Sequence, residues 1–155
     1  MLQLYSGRVL PEWIDYNSHM NMAFYVLAFD KATDAFLDYL AMDQNYRTRA
    51  QCSVFTLETH VNYLRELHLD EPIAVTLQLL DYDSKRIHYF QQMYHAEDNY
   101  LAATTELIIL HMDMQQRKVA AMPEQAQTRL ATLWEQHQHL LKPELVGSKI
   151  GIRRK

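Results

Sequence analysis

Apolar residues change their period along this chain, and the changes divide it into elements. From Met22 to Leu40 the residues Met22, Tyr25, Val26, Phe29, Phe36, Leu37 and Leu40 recur at three- and four-residue steps, with Asp30, Lys31, Asp34 and Asp38 on the opposite side. That spacing predicts one long amphipathic helix, about 28 Å at the standard rise per residue. Past a polar connection at 43–51 the period falls to two. Phe55, Leu57, Val61 and Tyr63 alternate with Thr56, Glu58, His60 and Asn62, the pattern of a strand with one face on a core. Ile73–Leu80, Arg86–Ala96 and Leu101–His111 read as three further strands, and the short polar links between them join antiparallel neighbours. Residues 8–15 are extended in character, with Pro11 disfavouring helix, and Pro123 opens a second helical stretch to about His139. Lys142, Pro143 and Gly147 break any later pattern.

The predicted order is a strand, a long helix, four strands in a meander and a terminal helix. Helix and sheet are each apolar on one side only, so the helix must lie across one sheet face. The expected class is therefore α+β with the hotdog arrangement, about five antiparallel strands curling around one central helix, plus the C-terminal helix. The expected domain spans 1–140, followed by a C-terminal tail at 141–155 whose basic end, 149–155, reads as mobile and solvated. A chain of 155 residues, 48% hydrophobic and 22% charged, can bury a core without a metal or a disulfide. Cys52 is the only cysteine, which excludes an intrachain disulfide and reads as inert packing. The first residues lack a signal-peptide pattern and no apolar run reaches membrane-span length, so the expectation is a cytoplasmic protein without membrane contact. A net charge of −4 argues against nucleic-acid binding, although the end from Lys149 to Lys155 is locally basic.

Four polar residues, Asp15, Asn17, His19 and Asn21, occupy alternate positions just before the long helix. The first amides of a helix lack internal partners and carry the positive end of its dipole, so they can stabilise an oxyanion forming on a bound carbonyl. A carboxylate beside them can attack that carbonyl or activate water, and a histidine can move the proton. A thioester suits such a site, because a thiol with a pKa of about 8.5 leaves without a strong general acid. Local chemistry alone leaves a structural loop capped by Asn21 as an equal reading. A calcium loop fits less well, since His19 and Met20 stand where Asp or Asn and Gly are needed. His60, His88, His95 and His111 lie in strands without a familiar ligand spacing, so no metal is predicted.

The run from Pro11 to Asn21, with Tyr25 following in the helix, resembles the opening signature of hotdog thioesterases related to 4-hydroxybenzoyl-CoA thioesterase. The resemblance covers about residues 5–115. It implies that Asp15 is nucleophile or general base and that an amide near Met22, with Asn21 at the helix start, polarises the thioester carbonyl. The Asp-x-Asn-x-His spacing is also similar to plant acyl-carrier-protein thioesterases, which adds Asn17 and His19; those enzymes have a glutamate where this chain has Asn62, a substrate-binding candidate, and Glu58, four residues earlier on the same strand face, is the catalytic candidate. Ser18 departs from the pattern, which usually has glycine there. At closer range Phe55–His60 and Tyr63–Leu67 look like the thioesterases associated with carnitine catabolism, which implies betainyl-CoA as substrate and CoA as part of it, with no other cofactor. A trimethylammonium group is attracted to aromatic faces. Trp13, Tyr16, Phe24, Tyr25 and Tyr63 are the candidate rings, and Lys85 and Arg86 are candidates for the CoA phosphates. The family also implies a homodimer or homotetramer. The rival readings are a thioesterase for another acyl-CoA or an acyl carrier protein, a hydratase disfavoured by the four-residue Asp15–His19 spacing, and a non-catalytic acyl-CoA binding module.

Overall fold

The computed structural model describes residues 1–152. In chain order it contains β1 (Leu2–Arg8), a 3-10 turn at Pro11–Trp13, α1 (Met22–Tyr39), α2 (Gln44–Ala50), β2 (Cys52–Tyr63), β3 (Pro72–Tyr82), β4 (Arg86–His95), β5 (Leu101–Asp113), β6 (Lys118–Val119) and α3 (Glu124–His137). The sheet runs β1-β3-β4-β5-β2, all antiparallel, with the two-residue β6 added to β5. This is the hotdog arrangement in the α+β class.

Three expectations change. Only β3, β4 and β5 form a meander; β2 pairs with β5 at the far edge, and the link 64–71 carries the chain back to β3. The first strand is Leu2–Arg8, earlier than 8–15, because Pro11 starts the 3-10 turn. The polar connection at 43–51 contains α2, started by Asp43, whose Oδ1 accepts the Tyr46 amide at 2.8 Å, and closed by a left-handed Gln51.

α1 lies on the sheet through Tyr25, Ala28, Phe29, Ala32, Thr33, Phe36 and Leu37. Ala28 and Ala32 let the helix approach the strands closely, a contribution that a count of large apolar residues overlooks. Met22 and Val26, expected on this stripe, are instead 63% and 42% exposed. Toward the other end of α1, α3 adds Ala126, Leu130 and Leu133 to a cluster with Phe36, Leu40, Leu79 and Tyr89. No helix among the described residues is long and apolar enough to cross a membrane.

β1 stops pairing at Leu2–Leu77, and the Leu79 amide beyond it donates to His137 Nδ1 at 2.9 Å. Burial, aided by the N-terminal charge, holds the His137 imidazole below its ordinary value. A histidine depressed in the folded state contributes stability that is present above its unfolded pKa and lost as pH falls through the lower folded value. Thermal melts are therefore expected to drop as pH falls below about 6.5. His137→Asn, which can still accept from Leu79, is expected to flatten that drop.

After α3 the chain crosses the outer sheet face. Gln78 Nε2 donates to the Leu141 carbonyl at 3.3 Å, the Gly147 amide donates to Glu106 Oε2 at 2.6 Å, and Ser148 Oγ lies 3.5 Å from His60 Nε2. Residues 141–148, placed in the expected tail, are thus hydrogen-bonded to the sheet. Arg153, Arg154 and Lys155 of the basic end lie outside the described residues.

Candidate active site

The segment before α1 is a tight loop whose neck is a bridge between Ile14 and Met20. The Asp15 amide donates to the His19 carbonyl at 3.2 Å, and the Ser18 amide returns to the Asp15 carbonyl at 3.0 Å. Closing the turn puts Ser18 at φ 65°, the left-handed region, where glycine would avoid roughly 1 kcal/mol of steric strain. The loop is fixed to the rest of the fold by Asn21 N–H donating to Trp13 O at 2.9 Å and Met20 N–H donating to Leu67 O at 2.7 Å.

Within this frame the half-buried Asp15 carboxylate has two donors. The Asn17 amide reaches Oδ1 at 2.7 Å and Asn21 Nδ2 reaches Oδ2 at 3.2 Å. Asn21 also caps α1, its Oδ1 accepting the Ala23 amide at 2.9 Å, while its carbonyl accepts from Phe24 at 3.0 Å. One side chain therefore ties the carboxylate to the helix start. The Met22 amide, at the first helical position, has no acceptor among the described residues and stays free to donate. The first turn of α1 contains no acidic residue, so its positive end is not neutralised from within.

His19, Met22, Tyr25, Tyr63, Glu66 and Tyr100 are among the residues around a cavity of about 690 Å³ at this end of the helix. His19 Nδ1 lies 3.4 Å from the Met20 carbonyl, and Nε2 lies 3.7 Å from Glu66 Oε1. Tyr63 donates to the Met22 carbonyl at 3.3 Å and packs edge-on to Tyr25 with ring centres 5.4 Å apart. Tyr25 holds the link after β2, because its hydroxyl accepts the Leu67 amide at 3.1 Å. Burial pushes that hydroxyl up to about 12, so it stays neutral. Across the cavity Glu71 accepts the His68 amide at 2.8 Å; burial alone would raise its carboxyl, but that bond and the His68 imidazole hold it below the usual range.

The Thioesterase-like superfamily is the family whose sequence pattern matches this chain, over residues 9–130. The chain belongs to that superfamily. The betainyl-CoA thioesterase of Pseudomonas aeruginosa is 37% identical over 98% of this chain and 96% of its own length. The L-carnitine dehydrogenase/betainyl-CoA thioesterase of Rhizobium meliloti is 35% identical over 99% of this chain, which spans 31% of that longer protein. Among solved structures, a Staphylococcus aureus protein in complex with CoA superposes with a TM-score of 0.92 at 33% identity, covering 99% of this chain and 98% of the other. The 1,4-dihydroxy-2-naphthoyl-CoA thioesterase of Synechocystis shares the fold, with a TM-score of 0.74 at 16% identity over 82% of this chain and 93% of the other.

In this thioesterase-like chain the residues expected at the site separate into groups. Asp15, Asn21 and the Ala23 amide form one connected unit, with His19, Met22, Tyr25 and Tyr63 at the cavity by the helix start. Asn17 contributes its backbone amide, and its side chain is exposed. Trp13 is only 3% exposed and stacks on Phe24 with ring centres 5.8 Å apart, so this pair fills core volume and Trp13 does not offer a ring face to a ligand. Tyr16 projects from the loop at 94% exposure.

Glu58 and Asn62 stand on the side of β2 turned away from α1. Asn62 Nδ2 reaches Thr104 Oγ1 at 3.5 Å, and Glu58 borders a second cavity of about 410 Å³ with His60, His88 and Glu106. Strand alternation separates both from Tyr63. Lys85 and Arg86 sit at the β3–β4 turn, where Arg86 forms an ion pair with Asp83 at 2.6 Å. That turn is a strand length, roughly 30 Å, from the β4–β5 turn that borders the first cavity, so within one chain they do not meet it. Sequence reasoning assigned no role to Arg65, Glu66, Glu71, Asp98 and Tyr100, which line that cavity. The link 64–71 shared in the resemblance at Tyr63–Leu67, but nothing local indicated which of its charged side chains would meet the cavity.

Proposed function

We propose that this chain hydrolyses betainyl-CoA to glycine betaine and CoA, with Asp15 as the catalytic carboxylate. The observation that supports the site most directly is the Asp15–Asn21–Ala23 connection, which ties an ionisable carboxylate to the residue that caps the helix start. The named activity of relatives 37% and 35% identical over nearly the whole chain supports the substrate.

The chemistry follows from the parts. The thioester carbonyl oxygen accepts from the Met22 amide, where the helix dipole favours the negative charge of the tetrahedral intermediate. Asp15 either removes a proton from the attacking water or attacks the carbonyl carbon itself, in which case water hydrolyses the acyl–Asp15 anhydride that is left after CoA departs. The carbon–sulfur bond then breaks, and CoA leaves as a thiolate that needs little acid assistance. His19, at the cavity wall, carries the proton away, and Asn17 orients the carboxylate. No cofactor beyond the CoA of the substrate enters this scheme.

The same reading includes a cytoplasmic homodimer or homotetramer. β2 is a twelve-residue edge strand, and Phe55 and Leu57 on it are 37% and 55% exposed; Met22 and Val26 at the start of α1 are exposed too. A long apolar edge of this kind is covered in stable proteins, and a second copy would cover it beside the site. Thiol release should be highest with betainyl-CoA in a panel with acetyl-, 4-hydroxybenzoyl- and palmitoyl-CoA. A flat profile would remove the betaine assignment and leave a general thioesterase; binding without thiol release from any of them would favour a non-catalytic module.

A further inference from the structure

The cavity beside His19 has a composition that the proposed reaction does not by itself require. Three carboxylates border it, Glu66 and Glu71 from the link after β2 and Asp98 from the β4–β5 turn. The one arginine at its edge, Arg65, is already stacked on Tyr100, its guanidinium carbon 3.7 Å from the ring centre. A wall with this excess of negative charge repels the phosphates of CoA, so it suits the acyl end of the substrate. It also suits an acyl group that is positively charged.

Position narrows the choice of residues. In a betaine thioester the quaternary nitrogen is two bonds from the carbonyl carbon, about 2.5 Å at ordinary bond lengths. The group that receives it must therefore adjoin the start of α1. Tyr63 does, through its bond to the Met22 carbonyl, and the residue is still 44% exposed. Glu66 does, because its Oε1 is 3.7 Å from His19 Nε2, with Oε2 3.9 Å from His68 Nε2, while its side chain remains 65% exposed. Glu71, by contrast, is committed to the His68 amide and to Tyr100, whose hydroxyl is 3.4 Å from Oε2. A quaternary ammonium cannot donate a hydrogen bond, and a ring face with a nearby carboxylate is what attracts it.

Building on the reading of the site as a betainyl-CoA hydrolase, we infer that Glu66 and the ring of Tyr63 form a quaternary-ammonium subsite beside the thioester. The charge of the acyl group, more than its bulk, then sets substrate choice. The test compares betainyl-CoA with 3,3-dimethylbutyryl-CoA, in which carbon replaces the nitrogen at nearly the same shape. The full-length wild type is expected to favour the charged substrate at least tenfold in kcat/KM. Glu66→Gln should lower that ratio about tenfold and Tyr63→Leu several-fold. Because Glu66 also adjoins His19, its loss can alter the rates on both substrates; an effect acting only through His19 cancels in the ratio.

A ratio unchanged in Glu66→Gln would overturn the subsite, whatever the absolute rates. A wild type that hydrolyses both thioesters equally would overturn it too while leaving the hydrolase reading standing. A wild type that hydrolyses neither would sink that reading, and the subsite with it.

Discussion

Asp15→Ala and Asp15→Asn should each lower kcat by about 10²–10⁴-fold, the range associated with losing a positioned acid–base group. The structure explains why the loss should fall on rate rather than on folding. Both donors that meet the carboxylate, the Asn17 amide and Asn21 Nδ2, belong to the same loop. The loop is held independently by the Asn21 amide on Trp13 and the Met20 amide on Leu67. In Asp15→Asn one amide oxygen must replace two carboxylate oxygens, which costs roughly 1 kcal/mol at a half-exposed position. In Asp15→Ala, Asn21 keeps its cap on Ala23 and water takes the freed amide. Steady-state kinetics with thermal melts on the same samples check both parts. Variants that melt near the wild type yet lose turnover are the expected outcome.

The opposite pattern is expected at the other end of the helix. Phe36 is fully buried, stacked with Tyr39 at 6.4 Å between ring centres and edge-on to Tyr89 at 5.4 Å. Phe36→Ala should cost about 3–5 kcal/mol, because the sheet on one side and α3 on the other limit how far the cavity can collapse. A urea titration should show this as a lower midpoint. The start of α1 is four turns away along the helix axis, so the folded fraction should retain its turnover at low temperature. The two substitutions separate what α1 does as the central element of the core from what its first turn does in chemistry.

The same contrast explains what could be read from the sequence. The period of α1 persists for eighteen residues, and the three hairpin-linked strands β3, β4 and β5 have strong local signals, so their existence followed from the pattern. The place of β2 did not, because its partner β5 is about fifty residues away and nothing local distinguishes β5 from β3. α2 buries no residue and so has no apolar stripe to read; only its caps mark it.

At the candidate site, Asp15, His19 and Asn21 could be singled out because they lie immediately before a helix whose start was itself legible. Glu66 was not. It reaches His19 because the Tyr25 hydroxyl and the Met20 amide hold Leu67, contacts that span more than forty residues. Trp13 shows the converse error. Its proximity in sequence to Asp15 suggested a ligand-facing ring, whereas packing on Phe24 buries it.

A single-turnover measurement isolates the step that the carboxylate beside the first turn of α1 is proposed to drive, cleavage of the thioester. With enzyme in excess over betainyl-CoA, product release does not limit the signal, and the rate of CoA thiol appearance reports the chemical step. The wild type should show a fast exponential phase, and Asp15→Asn should show one at least a hundredfold slower. Equal rates in the two proteins would remove Asp15 from the chemical step.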